Sequence, residues 1–139
     1  MPKSIHLKRG KVLENIVCNA TDRTPEVGFN FENGRLSFKG ESYPEDASAF
    51  FGPIHQALDE FLQSDFTGDV VFDIELAYFN SSSAKVLMNL FSLLEEAAQK
   101  GKTVAINWHY NKDDDTMQEF GEDFASDMEH LSFNLCVVD

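Results

Sequence analysis

The stretch from Val70 to Lys100 restricts this chain more than any other. Val70, Phe72, Ile74, Leu76 and Tyr78 form a stripe of period two, Asn80-Ser81-Ser82-Ser83 follows, and Val86, Leu87, Leu90, Phe91, Leu94, Ala97 and Ala98 continue at three- and four-residue spacings. A period of two giving way to one near 3.6 is a strand running straight into a helix, expected here over about Ser82 to Lys100. Polar residues suit such a junction, because the first N–H groups of a helix lack partners and a serine hydroxyl accepts from them. One hydroxyl is enough for a cap. Three in a row leave two readings open: a Ser-rich cap and nothing more, or a junction that also carries a phosphate acceptor.

The flanking sequence fills in the sheet. Val27, Phe29 and Phe31 alternate with Gly28, Asn30 and Glu32, and Leu36 and Phe38 alternate with Arg35, Ser37 and Lys39. Asn33-Gly34 between them is a hairpin signal that predicts a type I′ turn with positive φ at both positions. A helix is expected from about Asp46 to Gln63, with Ala47, Phe50, Phe51, Ile54, Ala57, Leu58, Phe61 and Leu62 on one face. Pro53 interrupts that pattern, so either the first turn is loose or the helix starts near Gly52 with Pro53 at its first position. Val104, Ile106 and Trp108 read as a strand. Thr116 to about Met128 reads as a helix with Met117, Phe120, Phe124 and Met128 inward, and Leu131, Phe133, Leu135 and Val137 read as a last strand. Residues 1–20 are either a loose arm or an added edge strand at Ile16-Val17-Cys18, before a single domain over 21–139.

Helices between successive strands predict right-handed crossovers and parallel strands. The alternation leaves Asp73, Glu75, Asn107, His109, Ser132 and Asn134 off the core, whereas a sheet covered on both faces would read as continuous apolar runs. The expected architecture is therefore α/β in two layers: a mixed sheet, built from an N-terminal β-hairpin and three parallel strands, with helices mainly on one face. Ser81 would stand at the carboxyl end of a parallel strand, where such sheets place functional groups, and at a helix N-terminus that favours a phosphoryl group.

Composition removes several functions. A net charge of −13 over 139 residues argues against nucleic acid and against an anionic membrane surface. No apolar run approaches the ~20 residues that span a bilayer. The start of the chain, with Lys3, Lys8, Arg9 and Lys11, lacks the apolar core of a secretory signal, so the expected location is the cytoplasm. Cys18 and Cys136 match no metal spacing and read as free thiols. Asp73 and Glu75 would need a converging acid or histidine to do acid–base work. Asp113-Asp114-Asp115 reads as a helix cap and first turn, without the spaced loop and glycine bend of a divalent-metal site. His55, His109 and His130 lie on separate elements. No catalytic, cofactor-binding or metal residue is assigned, and no cofactor. Two rival readings remain: a small divalent-metal-dependent enzyme using Asp73, Glu75 and Asp113 to Asp115, and a constitutive protein-binding module without a switch.

Four segments carry a family resemblance. Thr24-Pro25-Glu26-Val27, Gly40-Glu41-Ser42-Tyr43-Pro44-Glu45, Tyr78-Phe79-Asn80-Ser81-Ser82-Ser83-Ala84-Lys85 and Leu93-Leu94-Glu95-Glu96-Ala97 resemble the SiaC family of bacterial regulatory phosphoproteins, over about Thr21 to the C-terminus. The family is similar in fold and logic to STAS-domain anti-sigma-factor antagonists. Its phosphoacceptor is the hydroxyl residue directly after the junction asparagine, which maps onto Ser81; a known member carries threonine there, and serine preserves the hydroxyl. The resemblance implies a non-enzymatic partner switch. A serine/threonine kinase of the histidine-kinase-like ATPase fold would phosphorylate the protein, and a metal-dependent serine/threonine phosphatase would restore it. The unmodified form would bind a target, in the best-known systems a diguanylate cyclase, with Asn80, Ser82, Ser83 and Lys85 around Ser81 as the partner-binding residues. Phosphorylation would add roughly −1.5 to −2 charges to a chain already at −13. Lys85, four residues on, either offsets part of that charge or is an ordinary solvated lysine.

Overall fold

The computed structural model describes Ile5–His6 and residues 12–139; Lys3, Lys8, Arg9 and Lys11 lie outside the described residues. Two short strands, β1 (Ile5–His6) and β2 (Val12–Leu13), pair antiparallel. The main sheet holds β3 (Ile16–Cys18), β4 (Glu26–Asn30), β5 (Arg35–Ser42), β6 (Val70–Phe79), β7 (Val104–Asn111) and β8 (Ser132–Val138), side by side in that order. β3–β4 and β4–β5 are antiparallel, and β5–β6, β6–β7 and β7–β8 are parallel. The helices are α1 (Ala47–Leu62), α2 (Ser81–Gln99) and α3 (Asp115–Ser126).

Because β5, β6, β7 and β8 step across the sheet in one direction, right-handed crossovers bring all three connecting helices to the same face. Burial follows. Leu36, Phe38, Phe72, Ile74, Ile106 and Trp108 are fully enclosed on that face, while Ser37, Asp73, Asn107 and Asn134 line the other. Aromatic rings knit the enclosed side from Phe38 to Phe72 (5.1 Å between centroids), Phe91 (6.4 Å) and Trp108 (6.5 Å). The two-layer mixed sheet expected from the alternation is the observed fold. Cys18 and Cys136 sit on the two opposite edge strands, β3 and β8, too far apart to bridge.

Several local expectations are corrected. The hairpin forms, but its connection is the four residues Phe31 to Gly34, and only Gly34 has positive φ (72°), so the turn is not type I′. Side chains hold it instead: Asn30 Oδ1 accepts from Glu32 N–H (3.1 Å), and Asn33 Oδ1 accepts from Arg35 N–H (3.2 Å). Phe31 leaves the strand because its ring packs on Phe61 at 4.9 Å. Helix α1 begins at Ala47, capped by Asp46 Oδ1 accepting from Ala49 N–H (3.0 Å), and runs through Pro53 rather than starting there. An interior proline costs about 3 kcal/mol. Burial of Phe51, Ile54, Leu58, Phe61 and Leu62 on one face offsets it, at about 1.5–3 kcal/mol for each such side chain.

The largest departure is in β6. The β5–β6 register passes from Gly40↔Leu76 to Glu41↔Tyr78, which leaves Ala77 as one extra residue. A single extra residue in one strand reverses which way the following side chains face. Tyr78, expected in the buried stripe, is therefore 50% exposed, and Phe79 turns inward. Gly40, at φ +123°, supplies the backbone conformation opposite the bulge.

Helix α3 sits on Trp108 because residue 121 is glycine. Trp108 Nε1–H donates to Met117 O (2.9 Å), and a Cβ added at Gly121 would come within 2.6 Å of both Trp108 Cδ1 and Leu135 Cδ2. Gly121→Ala is expected to cost about 1–3 kcal/mol in urea unfolding, as overpacking does. Gly52→Ala, inside α1 with nothing within 4 Å of the added atom, should instead gain about 0.5–1 kcal/mol.

Candidate functional site

The site is the junction from β6 to α2, and its caps decide which groups are free. Asn80, not a serine, is the N-cap: its Oδ1 accepts from Ser83 N–H (3.0 Å), and its own N–H donates to Ser42 O (3.0 Å). Ser81 is thus the first helical residue and Ser82 the second, both exposed. The first backbone N–H groups of a helix have no intrahelical acceptor, and with Asn80 and Ser83 provided for, those of Ser81 and Ser82 remain. An anion attached at Ser81 would find them, together with the positive end of the helix dipole.

The third serine has a different occupation. Ser83 and Ser42 are each 1% exposed; their hydroxyls lie 2.7 Å apart, and Ser83 Oγ donates to Ser42 O (3.0 Å). This pair fastens the start of α2 to the last residue of β5. The segment after Ser42 is held in turn by Tyr43 N–H donating to Arg23 O (2.7 Å) and by the Arg23–Glu45 ion pair. Exposed Tyr78 meets Tyr43 edge-on, with centroids 5.8 Å apart, so an aromatic pair stands immediately before the exposed serines. The sequence reading placed Tyr78 in the buried stripe and missed its outward turn; the adjacent aromatics Tyr78-Phe79, ending a strict alternation, were the one sign of a bulge. Lys85 is exposed one turn into α2 and makes no ion pair among the described residues.

The acidic residues do not converge. Asp73 Oδ1 accepts from Asn107 Nδ2 (3.0 Å) and lies 3.1 Å from His109 Nε2, and Asn134 Nδ2 donates to Asn107 Oδ1 (3.0 Å), a polar row across the open sheet face. Asp114 caps α3 by accepting from Met117 N–H (3.0 Å), with Asp115 in the first turn. Among the described residues no three His, Cys, Asp or Glu side chains are placed to share a metal ion. No described helix is long and apolar enough to cross a membrane.

Glu95, near the other end of α2, is poorly placed for the helix dipole yet firmly held. Its carboxylate accepts from the backbone N–H of Glu129 (2.8 Å), His130 (2.9 Å) and Leu131 (3.0 Å), with His130 Nδ1 at 3.1 Å. Burial pushes its pKa up, but the three N–H groups and His130 outweigh that and lower it from 4.5 to about 2.

The fold and junction define a two-layer α/β domain with two exposed hydroxyls, those of Ser81 and Ser82, at the start of a helix. The chain belongs to the SiaC family: the model of the SiaC family regulatory phosphoprotein matches residues 18–138. An uncharacterized protein of Pseudomonas aeruginosa (strain UCBPP-PA14) is 37% identical over 107 residues, 77% of this chain and 84% of that one. Among solved structures, a chain of the diguanylate cyclase SiaD in complex with its activator SiaC, from Pseudomonas aeruginosa, superposes with a TM-score of 0.83 at 33% identity, covering 88% of this chain and 99% of that one. SiaC of Pseudomonas aeruginosa gives 0.79 at 34%, covering 90% and 98%.

Two predictions follow from the site's hydrogen bonds. Ser83→Ala strands the buried Ser42 hydroxyl and should lower the unfolding free energy by about 1–3 kcal/mol, while Ser81→Ala should change it by less than about 0.5 kcal/mol. For Glu95 the folded pKa is depressed, so its stabilisation is complete above pH 4.5 and is lost as pH falls towards about 2. Acid titration of stability should show that loss in the wild type, and Glu95→Gln should flatten it.

Proposed function

We propose that this chain is a non-enzymatic cytoplasmic regulator in a partner-switching module, with residues 21–139 acting as one regulatory domain behind the arm of residues 1–20. It binds its target when unmodified, and phosphorylation of Ser81 releases or alters that complex. The observation that carries the reading is the position of Ser81: exposed, first in α2, beside helix N–H groups that no cap occupies. Membership of a family of regulatory phosphoproteins supports it. Ser82 and Lys85 lie on the partner-facing surface, while Asn80 and Ser83 hold the turn that presents Ser81. The similar SiaC is an activator of the diguanylate cyclase SiaD, and a diguanylate cyclase is the target class proposed for this chain. A kinase of the histidine-kinase-like ATPase fold would add the phosphate and a metal-dependent serine/threonine phosphatase would remove it.

The physical basis of release is local. A phosphate brings roughly −1.5 to −2 charges and a large desolvation cost to a contact that accepted a neutral hydroxyl. A loss of about 1.4 kcal/mol raises the dissociation constant ten-fold. Intact-mass and phosphosite mapping on protein from its own host should find one phosphate, on Ser81. Ser81→Ala should bind the target as the wild type does, and Ser81→Asp should weaken binding by about ten-fold or more. Phosphate confined to Ser82 would move the acceptor by one residue. Target binding with no phosphate under any growth condition would leave a constitutive binding module.

A further inference from the structure

The outer edge of the sheet presents a second surface, independent of the Ser81 reading. β8 is the terminal strand and pairs with β7 alone among the described residues. Val138 O accepts from Lys112 N–H (3.1 Å), so the backbone groups of Val138 face β7. Successive residues of a strand direct their N–H and C=O groups to opposite sides. Ser132, Asn134 and Cys136 therefore also face β7, while Phe133, Leu135 and Val137 direct theirs away from the sheet.

Edge strands are ordinarily blunted by lysine, proline, a bulge or a covering element. Ser132-Phe133-Asn134-Leu135-Cys136-Val137-Val138 contains no charge and no proline, and its register with β7 is unbroken from Ala105↔Ser132 to Asn111↔Val138. Leu135 and Val137 are 38% and 58% exposed. Beside this neutral edge lies α3, which touches Leu135 through Gly121 and carries Asp115, Glu119, Glu122 and Asp123 without a single basic residue. A second copy paired here would bring two such helices, and two chains of net charge −13, against each other. A basic strand meets no such repulsion.

We infer that β8 receives an added strand from a partner protein: an extended segment with apolar side chains beside Leu135 and Val137 and lysine or arginine elsewhere along it. Backbone hydrogen bonds to Phe133, Leu135 and Val137 supply affinity, and the chain's net charge of −13 selects the sign of charge.

The test uses the full chain, ¹⁵N-labelled, titrated with a peptide alternating lysine and valine over about nine residues, within the usual range of strand lengths, and with its glutamate–valine counterpart. The lysine peptide should shift the amides of Phe133, Leu135 and Val137 and slow their exchange; the glutamate peptide should not. Val137→Pro removes an outward N–H and no bond to β7, so it should keep the fold and weaken the lysine peptide by about ten-fold or more. If that variant does not fold, Val137→Lys, at an exposed position, should weaken the lysine peptide instead. Three results would overturn the proposal: no shift at the edge amides, equal binding of both peptides, or sedimentation as a dimer that the Val137 variant dissolves.

Discussion

All the helices of the main sheet must bury their apolar faces on one side of it, and that constraint orders the rest of the molecule. β5 to β8 advance across the sheet in a single direction, so each right-handed crossover returns its helix to the same face. The enclosed side takes the aromatic rings. The open side is left to short polar residues that bond one another across strands, as Asp73, Asn107 and Asn134 do. The same one-way progression leaves β8 outermost and places every connection from a parallel strand to its helix at one end of the sheet, where Ser81 stands.

At that end two kinds of hydroxyl do opposite work. Ser42 and Ser83 are sealed inside and spend their hydrogen-bonding capacity on each other and on the Ser42 carbonyl, which fixes the start of α2 against β5. Ser81 and Ser82 lie outside, and Asn80 performs the capping that would otherwise engage them. In the proposed switch, a rigid anchor beneath a free hydroxyl means that charge added there acts on whatever binds the surface, not on the packing below. Glu95 anchors the far end of the same helix to the start of β8, so α2 is tied to the sheet at both ends.

Much of this was legible in the residues. Period two passing into period 3.6 located each crossover, and alternation on the parallel strands revealed that only one face is covered. Asp46, Asp114 and the polar run at 80–83 marked helix starts to within a residue. The failures share a cause: the deciding contact came from a residue distant in sequence. Phe31 quits its strand for Phe61, and that lengthens the turn after Asn30. Pro53 stays inside α1 because the aromatic face around it is worth more than one backbone hydrogen bond. Asn80 outcompetes three serines for the cap because Ser42, thirty-eight positions earlier, receives its N–H and claims Ser83. The pairing of half-buried Tyr43 with exposed Tyr78 was hidden for the same reason, since the adjacent aromatics Tyr78-Phe79 hint at a bulge but do not say which distant residue meets it.

That shift has a consequence for how the surface can change. The side on which Tyr78 emerges is a matter of register: Glu41 pairs with Tyr78 and not with Ala77, so the strand beyond the bulge faces as it would if Ala77 were absent. Closing the bulge with Ala77 retained would send Tyr78 into the core and Phe79 to solvent, exchanging a hydroxyl-bearing ring for a purely apolar one directly ahead of Ser81. Removing Ala77 would instead make the strand regular and leave both rings where they stand. A relative one residue shorter at this point would thus show a gap in a comparison of sequences and the same face to its partners.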